Sequence, residues 1–444
     1  MKKIVASVGL AALGASTMQA ADSSALSAAP PKFWNVSATL RGFYDDNINT
    51  APSGTNKVDS FGFEVSPKVA LNWQSDQTTA FLSYVYSLRY YDKRPLGNAQ
   101  NYDQDHTFTG EFDHAFSERY RLSVSDSFVI GQEPDILRAP NQALADFQRL
   151  PGDNIRNYGA ITLNADLTPV FGVEAGYANS FYDYHQSGAK DFGPILGVGQ
   201  VVNGFFLPGP SVAGLLNRLD HAAHLDTRWT LSPETTGVIG YEYEQVNYTA
   251  NEPVADLTKY PPPLMSDNRD TRSHKGYVGL DHTFRPDLTG SVRVGGEYTQ
   301  FYNDPQHETD VSPYAKASLH YTYAMDSYLE GGFSYDRAAA ALIGALGNSF
   351  TLDSEAAIIY ATLNHRILPR LYGNVTGQFQ NSDYNGGQFN GKSDRYYLVG
   401  LNLQYHFNPY LLGEVGYNYD KLDSDITGRT FDRNRVYIGV TASY

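Results

Sequence analysis

Hydrophobic and polar residues alternate one by one along most of the chain from Phe33 onward. The run from Phe61 to Trp73 sets Phe61, Phe63, Val65, Pro67, Val69, Leu71 and Trp73 against Glu64, Ser66, Lys68 and Asn72. A period of two is that of a β-strand, whose successive side chains point to opposite faces, so the run predicts a strand with one apolar and one polar side. The segment from Tyr397 to Phe407 repeats the split, with Tyr397, Val399, Leu401, Leu403, Tyr405 and Phe407 against Asn402, Gln404 and His406. Comparable runs cover Trp34 to Asn47, Ala80 to Tyr91, His106 to Phe116, Tyr120 to Ile130, Ile155 to Leu167 and Phe171 to Tyr182. They continue through Leu219 to Leu231, Gly237 to Tyr248, His274 to Phe284, Gly290 to Phe301, Pro313 to Tyr323 and Ser327 to Tyr335. The last are Ala357 to Ile367, Leu371 to Phe379, Leu411 to Tyr419 and Arg435 to Tyr444. The tally is about 18 strands, with about 16 as the alternative, and most runs are near the ~9–11 residues that cross a bilayer as a tilted strand.

The links alternate as regularly as the strands do. Short ones recur at Ser75 to Thr78, Ser117 to Arg119, Thr168-Pro169, Ser232 to Thr235, Arg285 to Asp287, Ala324 to Asp326, Pro369-Arg370 and Asn408-Pro409. Between them lie longer links, such as Ala51 to Ser60, Gly131 to Asp153, His185 to Arg218, Ala250 to Asp270, Arg337 to Ser354 and Asp420 to Asp432. Short turns on one side and long loops on the other are what an up-and-down barrel requires, whereas an immunoglobulin-type sandwich has no reason for the asymmetry. In water the apolar rows would need a partner sheet. In a bilayer they need none, and closure satisfies every backbone hydrogen bond. The predicted fold is therefore all-β, a transmembrane antiparallel up-and-down β-barrel over residues 33–444. Aromatic residues gather at both strand ends, Trp73, Phe116, Tyr120, Trp229, Phe284, Tyr323, Phe407 and Tyr410 by the short turns, and Tyr44, Tyr90, Phe181, Tyr243, Tyr298, Tyr335 and Tyr419 by the long loops. Two such belts are expected at the two membrane interfaces. Asp126 breaks the pattern, because strict alternation turns it to lipid in mid-strand; a β-bulge or a one-residue shift near Ser125-Asp126-Ser127 is the expected remedy.

The chain opens Met1-Lys2-Lys3, continues with an apolar run from Ile4 to Ala15, and reaches Gln19-Ala20-Ala21. This is the pattern of a secretory signal peptide over residues 1–21, with a short Ala/Ser/Pro linker over 22–32. At the other end Val436, Ile438, Val440, Ala442 and Tyr444 form the apolar row of the final run. A chain that stops on an aromatic residue in this way resembles bacterial outer-membrane β-barrels, whose closing strand carries such a row as an insertion signal. The resemblance implies the outer membrane of a Gram-negative-type bacterium. It implies as partners the membrane lipid and lipopolysaccharide, and the barrel-insertion machinery. Closure would pair this strand with Trp34 to Tyr44. The stretch Leu40-Arg41-Gly42-Phe43-Tyr44-Asp45-Asp46-Asn47 also resembles the opening of the family called putative β-barrel porin 2. Members are regarded as porins by architecture, and some accompany exopolysaccharide systems, so a polysaccharide is a candidate cargo and a homotrimer a candidate assembly.

Composition narrows the function classes. No later segment offers the roughly 18 apolar residues of a membrane helix, and mean hydropathy is -0.40. A barrel looks the same, since only alternate strand residues meet lipid. Cysteine is absent, which excludes disulfides, thiolate metal sites and cysteine nucleophiles. A net charge of -15 leaves no basic surface for nucleic acid. The motifs G-x-S-x-G, H-E-x-x-H and the P-loop are missing, so no enzyme, cofactor or metal site is expected. His114, His221, His274 and His282 are too dispersed for a metal site, and Asp423 to Gly428 lacks the later Glu of a calcium loop.

What chemistry there is lies on the polar rows. Pore-lining candidates are Arg41, Glu64, Lys68, Arg89, Glu111, Arg121, Glu174, Asp226, Arg228, Glu242, Arg293, Glu297, Lys316, Glu330, Glu414 and Arg435. Both signs are present, which points to a channel for small hydrophilic solutes with weak charge preference. Cross-strand ion pairs that stiffen the wall are the equal alternative. Two links are unusually apolar, Gly193 to Leu216 and Ala338 to Leu346. The first would either enter the lumen, with Phe205, Phe206 and Leu207 as a constriction, or pack with other loops into an extracellular cap. A polysaccharide exporter gated by residues 193–216, and a non-conducting scaffold presenting its loops, are the alternative functions.

Overall fold

The alternating runs pair edge to edge into a single antiparallel sheet of 18 strands that closes on itself. The coordinates are a computed structural model that describes residues 32–52, 57–94, 100–131, 144, 154–185, 201–202, 205–206, 212–252, 254, 264–342 and 350–444. The expected signal peptide, the linker up to residue 31, and Leu207 lie outside the described residues.

The first seven strands are β1 (Trp34–Asp45), β2 (Ser60–Gln74), β3 (Thr78–Tyr91), β4 (Tyr102–Ala115), β5 (Tyr120–Gly131), β6 (Asn154–Asp166) and β7 (Phe171–Tyr184). Next come two short strands, β8 (Val201–Val202) and β9 (Phe205–Phe206), which pair only with each other, and the one-turn helix α1 (Val212–Leu216). The wall resumes with β10 (Arg218–Ser232), β11 (Thr235–Tyr248), β12 (Thr271–Arg285), β13 (Leu288–Phe301), β14 (Thr309–Ala324) and β15 (Ser327–Ala339). It ends with β16 (Asp353–Leu368), β17 (Leu371–Asn385), β18 (Ser393–Asn408), β19 (Leu411–Ser424) and β20 (Phe431–Ser443). Each barrel strand pairs with the next, β7 joins β10 directly, and β20 returns to β1 from Ser37↔Ser443 to Asp45↔Arg435. Eighteen strands ~4.8 Å apart and tilted ~40° enclose a backbone cylinder ~36 Å across.

The apolar rows face outward. Phe61, Leu82, Ile239, Ile359 and Ile438 are each more than half exposed, which in water would be a liability and in lipid is the solvent-matched surface. The belt by the short turns is exposed throughout, from Trp73 and Phe116 to Phe407 and Tyr410. Strands run from 12 residues in β1 to 16 in β14, longer than the bilayer needs, and the surplus carries the wall past the upper belt. The short hairpins bring register shifts at Thr230/Ser232, Thr283/Arg285, Tyr321/Ala324, Arg366/Leu368 and His406/Asn408. In the turn after β14, Asp326 takes a left-handed φ of 56° and its carboxylate accepts from Arg366 at 3.0 Å.

Asp126 departs from expectation. Its register runs unbroken, against Gly110 on β4 and Gly159 on β6, so neither a bulge nor a shift turns it inward. It is exposed on the outer face. Asn157 of β6 donates to both carboxylate oxygens, at 3.1 and 3.0 Å, so the neighbouring strand supplies the polar partner that a bulge would have made unnecessary.

Candidate pore wall

Strand alternation puts all sixteen pore-lining candidates on the inward rows, together with hydroxyl, amide and tyrosine side chains. The sheet then brings together charges that are far apart in sequence. Arg41 on β1 donates to Glu64 of β2 at 3.1 Å and to Glu414 of β19 at 2.7 Å, and its guanidinium lies 4.7 Å from the Tyr437 ring centre. Glu64 also accepts from Arg89 at 3.2 Å and from Ser66 at 3.0 Å. Asn402 closes the group, donating to Glu414 at 3.2 Å and to the Tyr437 hydroxyl at 2.8 Å.

A second chain of charges covers the wall from β7 to β15. Arg228 lies 2.9 Å from Glu174 and 3.7 Å from Asp281, and Arg293 lies 2.8 Å from the same Asp281. Lys275, almost fully buried, is shared by Glu244 at 2.7 Å, Asp336 at 2.9 Å and Glu242 at 3.2 Å, and Asp336 reaches Lys316 at 3.5 Å. Tyr277 donates to Asp226 at 2.6 Å. Its ring lies flat against the wall because Gly240 has no side chain: a Cβ there would fall 2.2 Å from the ring. Arg435 pairs with Asp420 at 2.7 Å, and Glu330 stands 3.8 Å from His320. Lys68 faces the Phe81 ring at 5.9 Å. Glu111 and Arg121 occupy inward positions on β4 and β5. The same arrangement can both line a polar passage and stiffen its wall, because Glu64, Glu174, Glu242, Glu244, Glu414, Asp281 and Asp336 each keep a Lys or Arg beside them.

The extracellular end is held differently. Leu215 and Leu216 of α1 pack with Val254, Leu264, Phe301, Ala341, Phe350 and Leu352, so the end of the apolar link is covered by residues from other loops and strand ends. Arg269 binds that arrangement together by donating to the carbonyls of Ala340, Gly214 and Leu215. Burial raises the Asp270 carboxyl to about 6, against hydrogen bonds from the Tyr248 N–H at 2.7 Å and Asn303 at 2.9 Å. Phe205 and Phe206 form a two-residue ladder with Val202 and Val201. At the extracellular ends of β18 and β19, Asp423 and Asp425 stand near Arg395, at 3.8 and 3.6 Å.

One lumen contact has no counterpart in the sequence patterns. Leu144 belongs to the link between β5 and β6, yet it sits against β17, eight strands from β5 in one direction and nine from β6 in the other. Its N–H donates to Gln380 Oε1 at 2.9 Å and its carbonyl accepts from Gln380 Nε2 at 2.9 Å. Its side chain packs on an inward apolar patch of Tyr396, Leu398, Leu422 and Phe431. Leu144 therefore stands at the wall nearly opposite β5 and β6, within the ~43 Å that about 13 residues from Gly131 can span.

Residues 265–444, from the approach to β12 to the end of β20, match the model of the family described as putative beta-barrel porin 2. The chain is a closed β-barrel of the outer-membrane type, similar to that family over this C-terminal part. No curated protein matches it significantly. Solved structures similar to this barrel include Acinetobacter baumannii OccAB4, at 13% identity and TM-score 0.41, with 93% of this chain and 99% of that chain covered. Pseudomonas aeruginosa OpdK with vanillate is 12% identical at TM-score 0.44, again over 93% and 99%. The FrpB iron transporter from Neisseria meningitidis is 11% identical at TM-score 0.42, over 93% of this chain and 65% of that one. These likenesses bear on neither cargo nor mechanism. The outward rows meet outer-membrane lipid, and His114, His221, His274 and His282 belong to them, bonded to Thr78, Tyr177, Tyr241 and Thr235.

Proposed function

We propose that the barrel is a channel for small hydrophilic solutes with weak charge preference. The observation that carries this reading is the compensated inward wall, where Arg41 stands between Glu64 and Glu414 and Lys275 among Glu242, Glu244 and Asp336. Alternating signs cancel at a distance, so the lumen offers polar contacts without a strong single-sign field. The passage is narrowed where Gln380 holds Leu144 on the inward face of β17. In this reading Leu144 joins the constriction candidates Phe205, Phe206 and Leu207. The partners are lipopolysaccharide around the extracellular rim and the insertion machinery at the closing row from Val436 to Tyr444. Liposome swelling tests the proposal: vesicles carrying the folded full chain should admit monosaccharides and sugar acids at similar rates and exclude oligosaccharides. Folded barrels that admit none of these solutes would refute it.

A further inference from the structure

The apolar outer surface is interrupted on β5, β6, β7 and β10. Asp126 and Asn157 are bonded to each other there, and Asn179 of β7 stands 3.4 Å from the Asn157 carbonyl oxygen. Asn179 is opposite His221, which is bonded to the Tyr177 hydroxyl at 2.6 Å. Gly159 is the floor of the group: a Cβ on it would fall 2.6 Å from Asn179 Oδ1 and 3.4 Å from Asp126 Oδ2. Gly110 flanks Asp126 on the other side. Two side-chain-free positions thus frame a carboxylate and two amides.

The depth makes this arrangement costly in lipid. Asp126 lies about six residues above Tyr120, hence ~15 Å above the short turns within an apolar band ~25 Å tall. Hydrocarbon offers neither donors to the carboxylate nor partners to the second N–H of each amide. The outward cations Arg272, Arg395 and Lys421 sit at the extracellular ends of their strands and cannot serve.

We propose that this face is the docking surface for a second copy of the barrel, in a two-fold pair. Carboxylate and amide groups are complementary, since Asn179 of each copy can donate to Asp126 of the other. A two-fold axis requires that kind of patch, in which the same residues serve both sides. Gly110 and Gly159 let the walls approach closely at the charged centre.

The absence of cysteine makes the test direct. Ile161→Cys, outward on β6 beside the patch, and Leu329→Cys, outward on the far wall on β15, each give the full chain one thiol. In outer membranes, a short bis-maleimide should link I161C into a species of twice the chain mass and leave L329C single. Adding Asp126→Leu to I161C should lower the linked fraction at least tenfold while the barrel keeps its folded, unheated gel mobility. The unmodified chain in nanodiscs supplies a measurement independent of any variant, and two copies per particle are expected. A single copy, an I161C product with a protein of another mass, or a linked fraction unchanged by D126L in a folded barrel would overturn the proposal.

Discussion

Arg41 ties four strands across the seam where the first and last strands meet. It reaches Glu64 on β2 and Glu414 on β19, and covers Tyr437 on β20. Arg41→Met keeps most of the length and removes the charge. Glu64 would retain Arg89 and Ser66, but Glu414, whose side chain has no exposed area, would retain only Asn402 at 3.2 Å. Leaving a buried carboxylate without its cation costs ~3–5 kcal/mol, and the lost stacking on Tyr437 adds ~0.5–2 kcal/mol. Water in the lumen offsets part of this, so a loss of about 3 kcal/mol is expected. Glu414→Gln should cost only about 1 kcal/mol, because Arg41 keeps Glu64. In the double variant the stranded charge is gone, and the coupling should be about 2 kcal/mol. Reversible urea unfolding of barrels refolded into thin-bilayer vesicles, followed by tryptophan fluorescence, gives all four corners of the cycle. A cost below about 0.5 kcal/mol for Arg41→Met, or additivity within ~0.5 kcal/mol, would refute the reasoning.

Three further perturbations reach other parts of the molecule. Gln380→Ala removes both hydrogen bonds to Leu144, worth ~0.5–1.5 kcal/mol each; single-channel recordings should become larger and noisier, and unchanged traces would count against the anchoring of Leu144 on β17. Gly240→Ala drives a methyl into Tyr277 and Asp226 and should destabilise the barrel by ~1–3 kcal/mol in the same urea assay. Asp270, held at about 6 against an ordinary 3.8, binds a proton in the folded loop that the unfolded chain has already released. Stability of that loop should therefore be full below about pH 4 and fall as pH rises through about 6. Hydrogen exchange over residues 264–270, corrected for intrinsic rates, should be slower at acid pH, and Asp270→Asn should abolish the difference.

The strands were legible because a half-lipid, half-polar wall imposes period two on nearly every residue, and each run from Trp34 to Tyr444 returned as a strand of the closed sheet. Facing was legible for the same reason, except at Asp126, where strict alternation held and the expected bulge or shift did not occur. Pairing was not. Arg41 and Glu414 are 373 residues apart, and parity says that both point inward without saying that they meet. The contact of Leu144 with β17 was hidden more deeply, since Leu144 lies in an unremarkable link and Gln380 is one polar residue among many on the inward rows. The apolar run up to Leu216 drew notice by composition, yet its end, Leu215 and Leu216, is covered by residues from other loops and strand ends. Hydrophobicity marks that a segment must be buried and leaves its burial partner open.

Planar-bilayer recording of the purified, folded full chain tests the central claim most directly. Discrete conductance steps are expected, with a reversal potential under a salt gradient close to zero, as a charge-compensated lumen requires. A folded barrel that never conducts, or one whose reversal potential approaches the limit for a single ion sign, would contradict it.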